Sequence, residues 1–325
     1  MAIGLLLGLI GIGAGAAAAL LFASVLSGSL LSVFLFYLAP LPIMIAALGW
    51  SHWAGLLAAL AAALGLAVVF GTFFFPAFLI GIGLPAWWLA YLALLARPQG
   101  DAQTLEWYPP GRLVAWAAVL GAVVIIATIP QFGSDATTVQ ATLKTAFERM
   151  FRVQFHIPAG EPLIIPGLGE ASGAIDLLVV ALPPAAAVVT TATQIFNLWL
   201  AARIVSVSGR LRRPWPDLAT LRLPPATPFM LAAAVAGALM LPDLLGVCAG
   251  LFAATLLIAY ALLGFAVLHG LTRHLQARAL VLVGVYTAVL MLGWPVLLMM
   301  LLGLIDTALD LRARVAMRGP PAPLS

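Results

Sequence analysis

Few side chains in this protein could bind or react, and the densest group of them lies in one apolar stretch, PPAAAVVTTATQIFNLWLAARIVS at 183–206. At the helical turn per residue, Thr190, Thr193, Gln194 and Asn197 share roughly a 100° arc. They stand near the middle of the stretch, and Asn197 is the only asparagine in the chain. Amides and hydroxyls at that depth of a bilayer must meet other helices, water or a ligand. The four residues are therefore candidates for substrate binding, with interhelical hydrogen bonding as the competing account. Pro183 and Pro184 suit a first helical turn. Residues 174–182 are then expected as a separate half-helix with Asp176 near its start, an arrangement that lines many transporter sites.

A second group is GLIDTALDLRAR near the C-terminal end, which spaces Asp306, Asp310 and Arg314 at i, i+4 and i+8. A charge ladder at the cytoplasmic end of a helix explains it. A D-x-x-x-D pair can also hold Mg²⁺ for a diphosphate, but that chemistry needs a second acidic cluster, and the other acids form none. No phosphate-binding G-x-x-x-x-G-K-[ST], no H-E-x-x-H and no G-x-S-x-G is present. His52, His156, His269 and His274 lack ligand spacing, and Cys248 is the only cysteine. These absences predict no catalytic residue, no metal site and no cofactor, hence no enzyme. Any transport would draw on an ion gradient or a partner ATPase.

The elements that must position these residues follow from composition. Of 325 residues, 64% are hydrophobic and 8% charged, with a mean hydropathy of +1.15. No water-soluble globule of this size can bury so much apolar surface. The apolar runs exceed the length of a barrel strand and do not alternate, which excludes a transmembrane β-barrel. The expected class is all-α: a polytopic membrane bundle of nine or ten segments, eight at the least. Spans are expected near 4–26, 29–49, 52–74, 77–96, 113–130, 176–206, 228–248, 249–268 and 279–305. The last is long for one helix, and a turn near Gly293-Trp294-Pro295 would split it into a hairpin. Residues 4–26 have no basic leader and are expected to be retained as the first helix.

Arginines cluster in 97–112, in 208–224 and in the tail, where Arg312, Arg314 and Arg318 lie. The net charge is +4, and the clusters read as topology signals rather than a nucleic-acid surface. All three are expected in the cytoplasm, with both termini, in a multi-pass protein of the bacterial inner membrane. The whole chain, 1–325, is expected to be a single membrane domain. Within it lie helical hairpins over 1–96, a periplasmic amphipathic helix and loop over 131–175, and C-terminal helices over 176–312. In the amphipathic helix Val139, Leu143, Phe147 and Phe151 recur every fourth residue, and Lys144 and Glu148 are spaced to pair. Pro40 and Pro42 should bend the second span. Gly4, Gly8, Gly11 and Gly15 form a small-residue face on the first helix, suited to close packing within the chain or against a membrane partner.

Several of these segments together resemble a known family. They are YLAPLPIMIAALGWSHWAGLLAA at 37–59, GLPAWWLAYLALLARP at 83–98, FNLWLAARI at 196–204, GFAVLHGL at 264–271 and GLIDTALDLRAR at 303–314. Over nearly the whole chain the protein resembles the YybS-like family of uncharacterised bacterial membrane proteins. That family is distantly similar to the substrate-binding S-components of energy-coupling-factor vitamin transporters and to the rod-shape protein MreD. The resemblance implies a helical inner-membrane bundle and carries over no binding residue. Two functions are expected from it: a small-solute, vitamin-type transporter or binding component without its own ATPase, served by a partner module; or a non-transporting scaffold for envelope assembly.

Overall fold

The computed structural model describes residues 2–99, 104–158, 161–165 and 169–317. Arg318 lies outside them. Among the described residues, seven apolar helical stretches are long enough to span a bilayer and three are shorter. The chain is thus an all-α polytopic bundle with ten apolar segments.

The first half is built from α1 (Ala2–Ala23), α2 (Leu30–Tyr37), α3 (Pro40–Gly49), α4 (His52–Phe70), α5 (Phe74–Phe78) and α6 (Leu84–Ala93). α2 and α3 together form one span, broken between Tyr37 and Pro40. Pro40 and Pro42 have no amide hydrogen to close the helical bonds there. α5 and α6 are likewise one span, joined by a π-turn over Leu79–Gly83. Pro85 cannot donate to the carbonyl a turn earlier, and the Leu84 amide bonds Leu79 instead. A short hairpin, β1 (Ala96–Gln99) with β2 (Thr104–Trp107), stands where the sequence suggested only a loop, and Arg97 pairs with Glu106 across it at 2.7 Å.

α7 (Pro110–Thr128) crosses back, and α8 (Ala136–Phe155) is the expected amphipathic helix. The Asp135 carboxylate caps it by accepting from the Thr138 amide at 2.8 Å. Val139 and Leu143 are buried, and Phe147 and Phe151 pack on the same cluster as the ends of α7 and the next helix. Lys144 does not pair with Glu148 as its spacing suggested. It reaches Asp176 at 2.6 Å, a contact between elements rather than along one.

α9 (Ser172–Val207) corrects the expected half-helix. It runs unbroken for 36 residues with Pro183 and Pro184 inside it. At 1.5 Å per residue that is about 54 Å, well beyond a hydrocarbon core of about 30 Å. The turns before Pro183 pack beside α8, so the double proline falls within the helix and not at its start. α10 (Thr227–Met240) and α11 (Asp243–Leu271) also shift an expected boundary, from 248 to Leu241-Pro242. Leu241 is extended, as the residue before a proline prefers. Past α11, Gly293 at φ 73° separates α12 (Arg278–Leu292) from α13 (Val296–Leu309), at the turn expected there. α14 (Leu311–Met317) follows.

Small residues set the helix spacing. A Cβ on Gly264 would lie 1.7 Å from the Met299 carbonyl oxygen, and one on Gly303 2.1 Å from that of Tyr260, so α11 and α13 meet backbone to backbone. The glycine face of α1 is divided. Gly11 and Gly15 lie against Leu57 and Ala58 of α4, whereas Gly4 and Gly8 have nothing within 4 Å.

Candidate functional site

The buried face of α9 runs through Ala187, Thr191, Gln194, Asn197 and Ala201. Gln194 and Asn197 are among the residues expected to face inward; Thr190 and Thr193 flank the face and are half-buried. Thr191 lies on the same buried face, its hydroxyl donating to the Ala187 carbonyl at 2.9 Å. Asn197 has a specific local task. Its amide donates to the Tyr37 carbonyl and to the Thr193 carbonyl, both at 2.8 Å. Tyr37 is the last residue of α2, where the proline break leaves carbonyls without helical donors. The only asparagine in the chain therefore closes the kink in another helix. Gln194 Oε1 and Asn197 Oδ1 are buried without a partner among the described residues.

A half-open cavity lies elsewhere, toward the end of the bundle that carries the arginine-bearing loops. Its volume is about 460 Å³, within the size range of small-molecule sites. Its walls are the adjacent face of α9 (Ile195, Leu198, Trp199, Ala202), the end of α11 (Leu262, Phe265, Ala266) and the start of α7 (Leu113, Val114). The segment 211–221 closes the end. On its remaining side stands α12, which contributes Arg278 and Tyr286 and has no buried residue of its own. Tyr286 stacks on Phe265 with centroids 5.3 Å apart, and its hydroxyl lies 2.9 Å from His269 Nε2. None of Thr190, Thr193, Gln194 and Asn197 lines this space. The lining face of α9 is apolar and carries no polar side chain that would mark it in the sequence.

The closing segment is tied down by charge. Asp217 pairs with Arg273, just beyond α11. Arg222 pairs with Asp310 at 2.9 Å. Arg312 donates to the buried Asp306 at 2.8 Å and to the Ala219 carbonyl at 2.8 Å. The expected ladder of Asp306, Asp310 and Arg314 is thereby corrected. Asp310 is left-handed at φ 46° and ends α13, so the three do not share one helix face, and each aspartate finds its arginine elsewhere. The Arg273 and Arg222 guanidiniums, by their hydrogen bonds, hold the Asp217 and Asp310 carboxyls below the usual carboxylate range. These bonds, with those of Arg213 to the Ala93 and Tyr108 carbonyls, bring the loops after α6 and α9 and the start of α14 to one end of the bundle.

Arg213 is the candidate site residue that the sequence does not single out. It is buried, lines the cavity, and reaches only those two carbonyls, at 3.2 and 3.3 Å. Its Nε has no partner among the described residues. Burial pulls the guanidinium below its ordinary pKa. In the sequence it is one of several arginines in SGRLRRPWPD, and nothing there separates the buried one from its exposed neighbours.

A helical bundle with seven apolar helices of spanning length among the described residues defines a multi-pass membrane protein. The chain belongs to the family described as "Predicted membrane protein (DUF2232)", whose model matches residues 16–307. No curated protein and no solved structure matches it.

Proposed function

We propose that the protein is a solute-binding membrane component, transporter-like and without an ATPase of its own, whose ligand sits in the cavity between α7, α9, α11 and α12. The observation that carries this reading is the cavity itself. A bundle this rich in alanine and glycine packs backbone against backbone elsewhere, yet leaves about 460 Å³ next to a buried arginine. The resemblance to vitamin-transporter S-components and the YybS-like family points the same way. By the bias of arginines toward the cytoplasm, the cavity opens on the cytoplasmic half of a bacterial inner membrane, with α8 in the periplasm. This reading places the ligand on the face of α9 that neighbours Thr190, Thr193, Gln194 and Asn197. Asn197 is then a structural residue that bridges α9 to the break after Tyr37.

The test is a thermal-shift screen of purified protein against a broad library of metabolites and amphiphiles. A stabilising compound is expected, and Ala202→Phe, which fills the lining of the cavity, should abolish its effect while leaving the unliganded melting point in place. A library without any stabilising compound would remove the reading. The competing reading, a scaffold for envelope assembly, draws on the part of α1 around Gly4 and Gly8 that meets no other helix. A scaffold has no use for an internal cavity, so the binding reading is preferred.

A further inference from the structure

Several arginines at this end of the bundle have partners. Arg203 lies over Trp215 at 5.5 Å and Arg210 over Trp50 at 4.7 Å. Arg222, Arg273 and Arg312 are paired with aspartates. Arg213 differs from all of them. It is 9% exposed, its Nε is unpartnered, and no carboxylate among the described residues reaches it. Its two bonds are to neutral carbonyls and are longer than the 2.7–2.9 Å typical of a charge-assisted pair. A buried charge without a counter-ion is among the costliest arrangements in a fold.

The surroundings say which counter-ion fits. Arg213, Arg273 and Arg278 line the cavity against the single acid Asp217, whose carboxylate is already engaged by Arg273. Apart from His269 and Tyr286, which bond each other, the rest of the wall is mostly apolar, from Ile195 and Leu198 on one side to Leu262 and Phe265 on the other. A small hydrophilic anion would satisfy the arginine and leave that wall wet; an uncharged hydrocarbon would do the reverse. α12 bounds the cavity while burying none of its own residues, which leaves a flank toward the bilayer.

Building on the binding reading above, we propose that the ligand is an amphipathic anion, with a carboxylate or phosphate headgroup held by Arg213 in the cavity that Arg278 also lines, and a hydrocarbon chain lying along α9 and α11. The guanidinium fork can bond two oxygens of such a headgroup at once. Bilayer lipids and free fatty acids or alkyl phosphates share this chemistry.

The experiment uses the whole protein in an uncharged maltoside detergent and reads quenching of tryptophan fluorescence by 9,10-dibromostearate and by its methyl ester. Trp199 and Trp215 line the cavity. The acid is expected to quench at about tenfold or more lower concentration than the ester, the factor a charged hydrogen bond supplies. A Trp199→Phe/Trp215→Phe double variant should lose that saturable component. Arg213→Gln should erase the difference between acid and ester, and Arg213→Lys should keep most of it. Hexadecyl phosphate and an anionic phospholipid should each displace the acid, and whichever does so at lower concentration identifies the source; inorganic phosphate should not displace it. Acid and ester quenching alike, with the signal lost in the double tryptophan variant, would overturn the anion assignment and leave the binding reading standing. Displacement by inorganic phosphate would overturn the need for a chain. Absence of saturable quenching by either probe would overturn the proposal, and together with a barren thermal-shift screen would remove the binding reading too. The acid-to-ester ratio is measured on the unaltered protein, so it decides the matter even if Arg213→Gln fails to fold.

Discussion

Replacing Asn197 by leucine removes the donor that satisfies the Tyr37 carbonyl at the break between α2 and α3. The expected loss is about 1–2 kcal/mol of stability, between the cost of orphaning a buried carbonyl and the smaller worth of interhelical bonds in lipid. Thermal melts in detergent would measure it, and an unchanged midpoint would show that the kink needs no donor from α9. The glycines give a sharper contrast. Gly264→Ala drives a methyl group into the Met299 carbonyl and should cost 1–3 kcal/mol or more, about the price of overpacking. Gly284→Ala meets nothing and should stay within about 0.5 kcal/mol. At this scale the sequence was legible where a residue type is rare, as with Asn197. It was mute where a common type has one unusual member, as with Arg213, since burial depends on loop placement that local pattern does not encode.

The closing segment and α12 are the elements that decide access to the cavity. Asp217 and Asp310 have carboxyls depressed in the folded protein, so the stability their pairs contribute is complete above the unfolded carboxylate value near 4 and is lost as pH falls through the lower folded value. Both groups are exposed, and the effect is correspondingly small. Limited proteolysis of 208–224 should stay constant from pH 5 to 8 and quicken below about pH 4; a segment equally resistant at pH 3 would show that these pairs do not hold it. α12 is attached chiefly by Tyr286 against Phe265 and His269. In a Cys248→Ala background, Tyr286→Ala should speed maleimide labelling of Ala202→Cys severalfold while moving the melting point little. Among elements, periodicity and proline identified α8, the α2–α3 break and the α12–α13 turn. It failed at α9 and α10, where one proline pair is absorbed inside a long helix and another proline, Pro242, ends a helix that hydropathy alone could not divide.

For the whole molecule, hydropathy by itself established the bundle, because no other architecture can hold a chain that is 64% hydrophobic. The grouping of the loop over 97–112, the loop over 208–224 and the chain after α13 at one end was also readable from arginine clustering, and the structure ties all three together through Arg213, Arg222 and Arg312. The cavity was not readable, since a void is left by the packing of four distant elements. In the proposed orientation, Gln140→Cys on α8 should react with an impermeant maleimide in intact spheroplasts, and Pro214→Cys only after permeabilisation; the reverse pattern would invert the topology. The most direct test of a bound ligand is native mass spectrometry of protein released from its own membranes in mild detergent. The wild-type chain is expected to carry a discrete small-molecule mass that Ala202→Phe lacks. A wild-type spectrum at the bare chain mass, or an adduct unchanged by that substitution, would contradict the account.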